Sequence, residues 1–386
     1  MRVLQVHTQY RQTGGEDAVV AAEAEMLRGG GHVVELHSLE NPTDPIRAAS
    51  ALVCAPWNSR AARDVVEVAS TFRADVVHVH NAWFALSPAV FRKVRLAGFP
   101  VVATIHNYRL ACVNALLYRD GKICEDCMGT FPWRGVTRRC YRNSSLQSAA
   151  VAVTIGTHRV LQTWDRDVDA VIALTDFAAD RLAISGVARD LIFVKPNVVS
   201  DPGGRVTPPS NSTTVLFVGR LTEDKGVMDL LEAWRQAPTG DMELKIVGDG
   251  PLLDDVKRAG VDRVSVVGPK PRDAVKDLML RARCLVLPSR WYEGLPMVLL
   301  EALAAGLPTV VPAHGALPEI IGEAGVAYAS GNLDALAGTL EMLDSDELVD
   351  VRGAQARQRF LEAFSSDVGL SLLEGVYERA INARRV

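Results

Sequence analysis

Hydrophobic positions along this chain fall into short β-branched runs that alternate with longer segments of helical spacing. The first half contains five runs of strand length, namely RVLQV, VVELHSL, DVVHVH, PVVATIH and AVIALT. Between them, segments such as EDAVVAAEAEMLRGGG repeat apolar residues at helical spacing and stop at glycine. This alternation predicts an α/β fold in which a parallel sheet carries helices on both faces.

The alternation restarts after a segment rich in Pro, Gly, Ser and Thr. That segment, SDPGGRVTPPSNSTT, follows IFVKPNVV and is typical of an exposed linker. The six later runs are TVLFVG, ELKIVG, VSVVG, CLVLPS, PTVVP and GVAYA, which predict a second parallel layer. We therefore expect a first domain over 1–197 and a second over 198–365, with ligand chemistry at the carboxyl ends of the strands in a cleft between them.

Length and charge narrow the class of protein. A chain of 386 residues exceeds what one core usually organises, which also favours two domains. Its 42 basic and 46 acidic residues provide no basic surface for nucleic acid. The N-terminal MRVLQVHTQY is typical of a first strand, and no apolar run approaches the roughly 18 residues of a membrane span. We expect a cytoplasmic protein and leave open peripheral contact with the inner face of the membrane.

The stretch EGLPMVLLEALAAG places a carboxylate at each end of a short apolar run. Pro296 suits the first turn of a helix that Gly306 would end. Eight helical residues at about 100° each would leave Glu293 and Glu301 roughly 80° apart, so a shared helical face explains the pair poorly. We expect Glu293 in the loop above the helix N-terminus, Glu301 inside the helix, and an anion site at the backbone N–H groups between them. The alternative is two ordinary solvated glutamates.

Two loops that follow predicted strands are further candidates for binding an anion. In VLFVGRLTEDKG, Gly219 and Arg220 end a strand and Lys225 follows, so a planar guanidinium and an ammonium could hold two sides of a diphosphate. Alone, such a loop is more often solvated. In TQYRQTGGEDAVV, Gly14 and Gly15 permit close backbone approach, although a plain turn fits equally well. No GxGxxG follows a strand, which counts against a nicotinamide dehydrogenase.

The segments GRLTEDKG, VGDGP, VVGP and EGLPMVLLEALAAGLPTVV together resemble the retaining nucleotide-sugar glycosyltransferases of family four. The resemblance spans nearly the whole chain and implies the GT-B fold, in which two Rossmann-like domains face a cleft. It implies transfer of a sugar from a UDP-sugar or GDP-sugar to a hydroxyl of a glycan, a lipid-linked or a small-molecule acceptor, with no cofactor or catalytic metal. A GT-B epimerase, a sugar phosphorylase and a non-catalytic nucleotide-sugar-binding protein are the alternatives, and no segment resembles a phosphorylase's pyridoxal site.

The resemblance also implies roles for individual residues. The two residues expected at the transferred sugar are His106 and Glu293. Those expected around the donor diphosphate are Gly15, Gly219, Arg220, Lys225, Leu295, Pro296 and Met297. Those expected around the ribose and nucleobase are Glu301, Gly248, Val267 and Lys270. The terminal stretch 366–386 is expected to form a helix that packs back on the first domain and acts as part of a hinge.

The acceptor side is less well defined by the resemblance. We assign to it Glu16 and Asn107, together with Asn81 and Trp83, which are expected in the loop beyond the strand that carries His78 and His80. Asn107 replaces the usual aspartate after the histidine. A second departure is Ala316, which interrupts a familiar double glycine. His78 and His80 share one face of a predicted strand. Because no third ligand stands at a suggestive spacing, polar strand-end residues near the cleft are favoured over a metal site.

Four of the six cysteines lie within an insertion at about 110–145. Cys112, Cys124, Cys127 and Cys140 form the pattern C-x11-C-x2-C-x12-C. Four thiolates suit a tetrahedral structural zinc, and the central C-x2-C has ligand spacing. The outer spacings match no familiar zinc finger, so buried thiols or a redox-sensitive pair remain alternatives. The insertion directly follows His106 and could shape the entrance for the acceptor.

Overall fold

The computed structural model describes residues 1–9, 15–42 and 44–384. Contacts between residues divide the chain into two compact units. Unit 1 comprises Met1–Arg119, Cys124–Asn197 and Gly369–Val386, and unit 2 comprises Asp120–Ile123 and Val198–Val368. The change from one unit to the other therefore falls between Asn197 and Val198, and again within the final stretch of the chain.

Unit 1 is built on a parallel sheet. Its first four strands are β1 (Arg2–Gln9), β2 (Val33–Glu40), β3 (Val76–Asn81) and β4 (Val101–Ile105). A separate two-stranded sheet of β5 (Tyr118–Arg119) and β6 (Lys122–Ile123) follows along the chain. The last two strands of the main sheet are β7 (Ala170–Ala173) and β8 (Ile192–Val194). The six strands of the main sheet lie side by side in the order β2-β1-β3-β4-β7-β8. Each of the five predicted runs forms one of these strands. The side chains of β1, β3, β4 and β7 are mostly buried on both faces of the sheet, whereas β2 is an edge strand and is largely exposed.

The helices of unit 1 are α1 (Gly15–Gly29), α2 (Pro45–Cys54), α3 (Ser59–Phe72), α4 (Ala89–Leu96), α5 (Trp133–Thr137), α6 (Ser145–Val160), α7 (Thr163–Arg166) and α8 (Asp176–Ile184), with a 3-10 turn at Arg189–Leu191. Several begin at a side-chain cap. Asn58 accepts from the N–H of Ala61 at the start of α3, and Ser144 accepts from Gln147 at the start of α6. These caps satisfy N–H groups that have no partner within the helix.

Unit 2 contains a second parallel sheet. Its strands are β9 (Thr214–Val218), β10 (Glu243–Val247), β11 (Val264–Gly268), β12 (Cys284–Val286), β13 (Thr309–Pro312) and β14 (Gly325–Tyr328). They correspond to the six predicted runs and follow the order β11-β10-β9-β12-β13-β14. Strand order reverses direction between β9 and β12, which is the point where doubly wound sheets bind ligands at their carboxyl ends.

The helices of unit 2 are α9 (Val227–Gln236), α10 (Leu253–Arg258), α11 (Arg272–Arg281), α12 (Met297–Ala304), α13 (Leu317–Ile321), α14 (Leu333–Met342) and α15 (Asp346–Ala363). Three 3-10 turns accompany them, at Pro209–Asn211, Glu223–Lys225 and Gly322–Ala324. No helix within residues 1–9, 15–42 and 44–384 combines the length and the apolar content that crossing a bilayer requires.

The last helix, α16 (Ser366–Asn382), follows unit 2 in sequence, and from Gly369 onward its contacts belong to unit 1. Its buried side chains pack against the central strands of unit 1 in one cluster, with Leu373, Val376, Tyr377 and Ala380 meeting Val3, Val76, Val102, Ala170 and Ile172. This helix therefore completes one face of the first core.

The segment predicted as an exposed linker is anchored to unit 2. Several of its positions are exposed, yet Pro209 is buried, and a Cβ on Gly353 of α15 would come within 2.7 Å of the Pro209 ring. Arg205 donates from Nη2 to the carbonyl of Ala282 at 2.7 Å, and Ser210 bonds to Asp350. Proline and small polar residues signalled irregular backbone correctly, but irregular backbone can still dock on a core.

Candidate functional site

Backbone contacts hold the loops after β9 and β10 against each other. The N–H of Gly219 donates to the carbonyl of Val247 at 3.0 Å, and the N–H of Leu221 donates to that of Asp249 at 2.8 Å. Gly248 has φ +148°, and a Cβ placed there would lie 1.8 Å from the carbonyl oxygen of Gly219. Only glycine fits at this position, since any side chain would push the two loops apart.

Polar side chains from the loops after β9 and β12 meet at the point where strand order reverses. Lys225 ends the 3-10 turn after β9, and its Nζ lies 2.6 Å from Oε1 of Glu293 in the loop after β12. The same oxygen accepts from Oγ of Ser289 at 2.5 Å. Glu293 is only 4% exposed, so its charge is balanced inside the protein by Lys225. Sequence analysis named Lys225 and Glu293 but missed Ser289, which carries no signal of its own.

The loop between Glu293 and α12 has the arrangement expected from the sequence, with one shift. Pro296 has extended backbone (φ −70°, ψ 120°) and is the N-cap, so the helix begins at Met297 and not at the proline. Leu295 is buried, and the carbonyl of Pro296 accepts from Leu299 N at 3.0 Å. The amino end of α12 thus follows directly on the loop that carries Glu293.

Glu301 lies within α12, as the sequence predicted, and is paired with an arginine that the sequence analysis did not name. Arg272, the first residue of α11, donates to Oε1 of Glu301 from Nε at 2.9 Å and approaches it with Nη2 at 2.8 Å. The guanidinium is more than half exposed. An exposed pair of this kind contributes little to stability, so a ligand could exchange with it at small cost.

The remaining residues predicted for unit 2 lie at the same edge of its sheet. Arg220 is exposed immediately after β9, Val267 is near the end of β11, and Lys270 is exposed two residues beyond that strand. Gly248 donates its N–H to the carbonyl of Gly268 at 3.1 Å. Hence the predicted unit 2 residues lie at or just beyond the carboxyl ends of strands, in the loop that leads into α12, or within α12 itself. The carboxyl ends of the strands are where parallel sheets bind ligands.

In unit 1, the start of α1 brings acidic residues beside a histidine of β1. Gly15 is the first residue of α1, whereas Gly14 lies outside the described residues. His7 Nε2 lies 2.8 Å from Oδ1 of Asp17, and His7 Nδ1 lies 3.8 Å from Glu16. Burial lowers the pKa of His7, and the hydrogen bond to Asp17 opposes this shift. Glu16, assigned to the acceptor side, therefore lies next to an imidazole.

The other residues assigned to the acceptor side lie at the end of β3 and in the loops after β3 and β4. Asn81 is the last residue of β3 and not a loop residue, so its predicted place beyond the strand end is wrong. Its side-chain amide donates to the carbonyl of Thr8 at 2.9 Å and accepts from the N–H of Trp83 at 3.0 Å. The Asn81 side chain therefore links the end of β3 to the end of β1. Asn107 accepts from the N–H of Arg109, whose guanidinium lies 5.8 Å from the Trp83 ring.

A buried polar cluster connects β3 with α1 and with the residue after β8. Lys195 Nζ lies 2.5 Å from Oε2 of Glu23, and His80 Nε2 lies 3.2 Å from Oε1 of Glu23. His80 Nδ1 lies 3.2 Å from Nε2 of His106, which follows β4 directly. Burial alone would raise the pKa of Glu23, but Lys195 and His80 bring it well below its usual range. Burial lowers the pKa of His106 well below its usual range.

Sequence analysis missed Glu23 and Lys195. Glu23 did leave a signal, because it interrupts the apolar stripe of α1 formed by Val19, Val20, Ala24 and Leu27. A carboxylate on the buried face of a helix needs a partner. Lys195 stands after a short strand in IFVKPNVV and leaves no comparable signal.

Glu23 also supplies the third potential metal ligand that the sequence lacked, since its oxygen and nitrogens of His78 and His80 lie within 4.8 Å of one another. The existing partners argue against a cation there. Lys195 already balances Glu23, and His78 bonds to Tyr377 OH at 2.8 Å and to Thr104 Oγ1 at 2.7 Å. The cluster is a hydrogen-bonded network.

The four clustered cysteines line one pocket in unit 1, together with Val113, Arg119 and Arg138. All four are free thiols. Burial and the neighbouring thiols raise the pKa of Cys140 to about 11 and also raise the pKa of Cys127. Within the described part of the chain, the ligand atoms of Glu23, His78 and His80 lie within 4.8 Å of one another, and no three of the thiols do. The sulfur atoms therefore share a pocket without being drawn together around one point.

Known protein families match both units. Residues 14–198 match the family described as glycosyl transferase 4-like domain, and residues 212–346 match the family described as glycosyl transferases group 1. The amylovoran biosynthesis glycosyltransferase AmsK of Erwinia amylovora is 33% identical over 180 residues, which are 43% of this chain and 44% of that protein. The N-acetyl-alpha-D-glucosaminyl L-malate synthase of Bacillus anthracis is 24% identical over 332 residues, 83% of this chain and 79% of that protein.

Solved structures are similar over nearly the whole chain. Anabaena Alr3699/HepE in complex with UDP superposes with a TM-score of 0.69 at 17% identity, covering 98% of this chain and 100% of that one. The sucrose-phosphate synthase of Thermosynechococcus elongatus superposes with a TM-score of 0.72 at 17% identity, covering 99% and 100%. At this identity the similarity establishes the fold. The chain spans about half the length of the first curated relatives it matches, including 54% of the Escherichia coli putative colanic acid biosynthesis glycosyltransferase WcaL.

Proposed function

Because the chain belongs to the family-four glycosyltransferases of the GT-B fold, we propose that it transfers a sugar from a nucleoside diphosphate sugar to an acceptor hydroxyl with retention of configuration. One observation carries the proposal most directly. The buried carboxylate of Glu293 is held by Lys225 and Ser289 where the strand order of unit 2 reverses. The ammonium of Lys225 suits a phosphate, and the carboxylate of Glu293 beside it can accept a hydrogen bond from a hydroxyl of the sugar joined to that phosphate.

The diphosphate would bind to Arg220, Lys225 and the amino end of α12. A guanidinium can bond two phosphate oxygens at once, and an ammonium adds a compact charge. The helix contributes backbone N–H groups and the positive end of its dipole. Glu293 fixes Lys225 Nζ at 2.6 Å before any donor is present. The charge therefore needs little reorganisation when the leaving group develops its negative charge.

The nucleoside would bind along the loops after β10 and β11. The carboxylate of Glu301 can accept from both ribose hydroxyls once Arg272 releases it. Gly248 allows a base to approach the backbone, and Val267 with Lys270 borders the same region. We place a uridine donor first because the similar Anabaena protein was solved with UDP and with UDP-glucose. A guanosine donor is the alternative.

The proposed reaction uses no metal ion or cofactor. The bond between the anomeric carbon and the diphosphate oxygen breaks, and its electron pair leaves on that oxygen. Arg220, Lys225 and the dipole of α12 stabilise the new charge in place of a divalent cation. The acceptor oxygen bonds to the anomeric carbon on the same face, and its proton passes to the leaving phosphate. His106 would position a hydroxyl and not serve as the obligatory base.

For the acceptor, we place a growing glycan first. AmsK is described as an amylovoran biosynthesis glycosyltransferase and WcaL as a putative colanic acid biosynthesis glycosyltransferase. Glu16, Trp83 and Asn107 are the candidate contacts of unit 1. A lipid-linked or small-molecule acceptor is the alternative. The expected cytoplasmic location and contact with the inner face of a membrane stay predictions that cell fractionation would check.

Thermal unfolding with a set of UDP-, GDP- and ADP-sugars, each with and without a chelator, tests the proposal. The matched donor should raise the unfolding temperature by mass action, and the chelator should leave that shift unchanged. Proton NMR of the product would give the anomeric configuration. No stabilisation by any nucleotide or sugar nucleotide at millimolar concentration would refute the proposed donor class, and an inverted product would refute retention.

We also propose that Cys112, Cys124, Cys127 and Cys140 hold one structural zinc ion. All four thiols line the same pocket, which is what four-thiolate coordination requires. Zinc would have to draw the sulfur atoms together, since no three thiols of the described residues lie within 4.8 Å of one another. The ion would organise the insertion and take no part in the chemistry. Reduced thiols without metal, or a redox-sensitive pair, are the alternatives.

A further inference from the structure

We propose that Glu23, paired with Lys195, sets the tautomer of His106 through His80 and thereby leaves Nδ1 as the hydrogen-bond acceptor of His106. The role of His106 at the sugar rests on the proposed function, whereas the tautomer does not. Glu23 and Lys195 are positioning residues in this scheme, because each acts on His106 through another side chain.

The network begins at the carboxylate of Glu23, which is 3% exposed. Among the described residues, four polar groups surround it. Lys195 Nζ contacts one oxygen at 2.5 Å, and the other lies 3.0 Å from Gln5 Nε2, 3.2 Å from His80 Nε2 and 3.3 Å from His78 Nδ1. An ionised carboxylate can only accept hydrogen bonds, and the pKa of Glu23 is held well below its usual range despite burial. Any neighbour that forms a hydrogen bond with it must therefore donate an N–H group.

His78 is already committed to other partners. Burial raises the pKa of Tyr377 well above its usual range, so the phenol keeps its proton. That O–H lies 2.8 Å from His78 Nδ1 and donates to it. The proton of a neutral His78 is then on Nε2, where Thr104 Oγ1 accepts at 2.7 Å. Hence His78 offers no N–H to Glu23, and among the two histidines of β3 only His80 can donate.

Charge balance makes His80 neutral. The cluster contains one anion, Glu23, and one cation, Lys195, and a second buried cation beside Lys195 would lack a counterion. A neutral His80 that donates from Nε2 has an unprotonated Nδ1. This nitrogen lies 3.2 Å from His106 Nε2, so His106 must donate from Nε2 to it. Burial lowers the pKa of His106 well below its usual range, so its ring is neutral as well.

The consequence concerns which sugars His106 can accommodate. With the proton on Nε2, the Nδ1 of His106 accepts a hydrogen bond and cannot donate one. It would select a hydroxyl, which can donate, over a carboxylate, which cannot. It also could not protonate the leaving phosphate. The network therefore favours neutral sugars with a hydroxyl at this position over uronic acids.

Nitrogen-15 NMR of the folded full chain, labelled at histidine, measures the tautomers directly. We expect His80 and His106 both to carry the proton on Nε2. A His106 with its proton on Nδ1, or with both nitrogens protonated at pH 7.5, overturns the proposal without any further variant. This readout does not require activity. If the tautomers are as expected and no sugar is transferred, the proposed function fails while the network stands.

A double substitution tests whether Glu23 is the cause. Glu23→Leu with Lys195→Met removes the buried anion and cation together, which avoids leaving one of them unpaired. Gln5 Nε2, 3.4 Å from His80 Nε2, then remains as a donor and favours an unprotonated Nε2. We expect protons to appear on Nδ1 of both His80 and His106, and kcat with the matched sugar to fall on the order of tenfold.

Glu25→Gln is the matched control, since Glu25 is exposed on the same helix and should change neither measurement. A folded double variant with the tautomers of the unsubstituted protein would overturn the proposal. If the double variant does not fold, the spectrum of the unsubstituted protein decides.

Discussion

The ammonium of Lys225 lies 2.6 Å from the carboxylate of Glu293, 68 residues further along the chain. Gly226, with φ +69°, makes this possible, because a Cβ there would lie 2.0 Å from the carbonyl oxygen of Pro288 and would separate the two loops. Lys225 therefore has two tasks. It balances a buried carboxylate, and in the proposed reaction it binds a phosphate.

The two tasks of Lys225 can be separated by comparing it with Arg220. We expect Arg220→Ala and Lys225→Ala each to lose about 2 to 4 kcal/mol of transition-state stabilisation, measured from kcat/KM, together with weaker nucleoside diphosphate binding by calorimetry. Lys225→Ala should also lower the free energy of unfolding, because it leaves Glu293 buried without its cation. Arg220 is exposed, so its removal should not.

Lys257→Ala, an exposed lysine on α10, is the matched control and should change neither quantity. Unchanged kinetics in the Arg220 or the Lys225 variant would remove that residue from the proposed site.

The packing of α16 on unit 1 predicts a contrast between two adjacent leucines. Leu373 is 0% exposed in the core of unit 1, whereas Leu372 is 41% exposed. Leu373→Ala should cost about 2 to 5 kcal/mol of unfolding free energy, and Leu372→Ala much less. Urea denaturation followed by circular dichroism measures both. Equal effects would contradict the packing of α16 described here.

A related expectation concerns the chain shortened at residue 365. It loses Tyr377 and the rest of the α16 contribution to the unit 1 core, while Arg220, Lys225 and Glu301 remain. Donor binding should therefore fall less than sugar transfer. Full transfer by the shortened chain would show that this helix is dispensable.

The proposed zinc site predicts one zinc per chain, measured by elemental analysis of protein purified without added metal. Cys127→Ser should lose the zinc and lower the unfolding temperature, and Cys54→Ser, at an exposed cysteine outside the cluster, should do neither. Brief chelation should leave transfer intact, because the leaving group is stabilised by cationic side chains. Absence of metal with four rapidly reacting thiols in folded protein would refute the site.

Four histidines predict that the stability of unit 1 falls at acid pH. Burial lowers the pKa values of His7, His78, His106 and His158 in the folded chain, with His78 and His106 shifted furthest. The unfolded chain therefore binds these protons first as pH falls below about 6.5, and folding stability must fall with it. With two fully shifted histidines, the slope approaches about 2.7 kcal/mol per pH unit.

Urea midpoints at pH 7.5, 6.5 and 5.5 would measure this slope. Glu23 acts only at lower pH, because its folded pKa is depressed and its contribution is lost as pH falls through that value. Stability that does not change between pH 7.5 and 5.5 would contradict the buried neutral state of these histidines.

Sequence reasoning succeeded where the signal is local. Strand runs, glycine stops and the spacing from Glu293 to Glu301 depend on neighbours along the chain, and the structure places them close to where they were predicted. It failed where a partner is distant. A role can be given to Ser289, Arg272 and Lys195 only from the carboxylate that the fold places beside each of them. The position of Asn81 was wrong because strand composition does not show at which residue strand pairing ends.

The position of α16 has a consequence for the order in which the protein can fold during synthesis. Tyr377, which bonds to His78 across 299 residues, is added only after the whole of unit 2 has been translated. The sheet of unit 1 emerges from the ribosome before unit 2, but part of one face of it stays uncovered until α16 arrives. Unit 2 can form a complete core earlier. The unit that is translated first is thus the last to be finished, and during that interval it exposes Val3, Val76 and Val102 to chaperones and to aggregation.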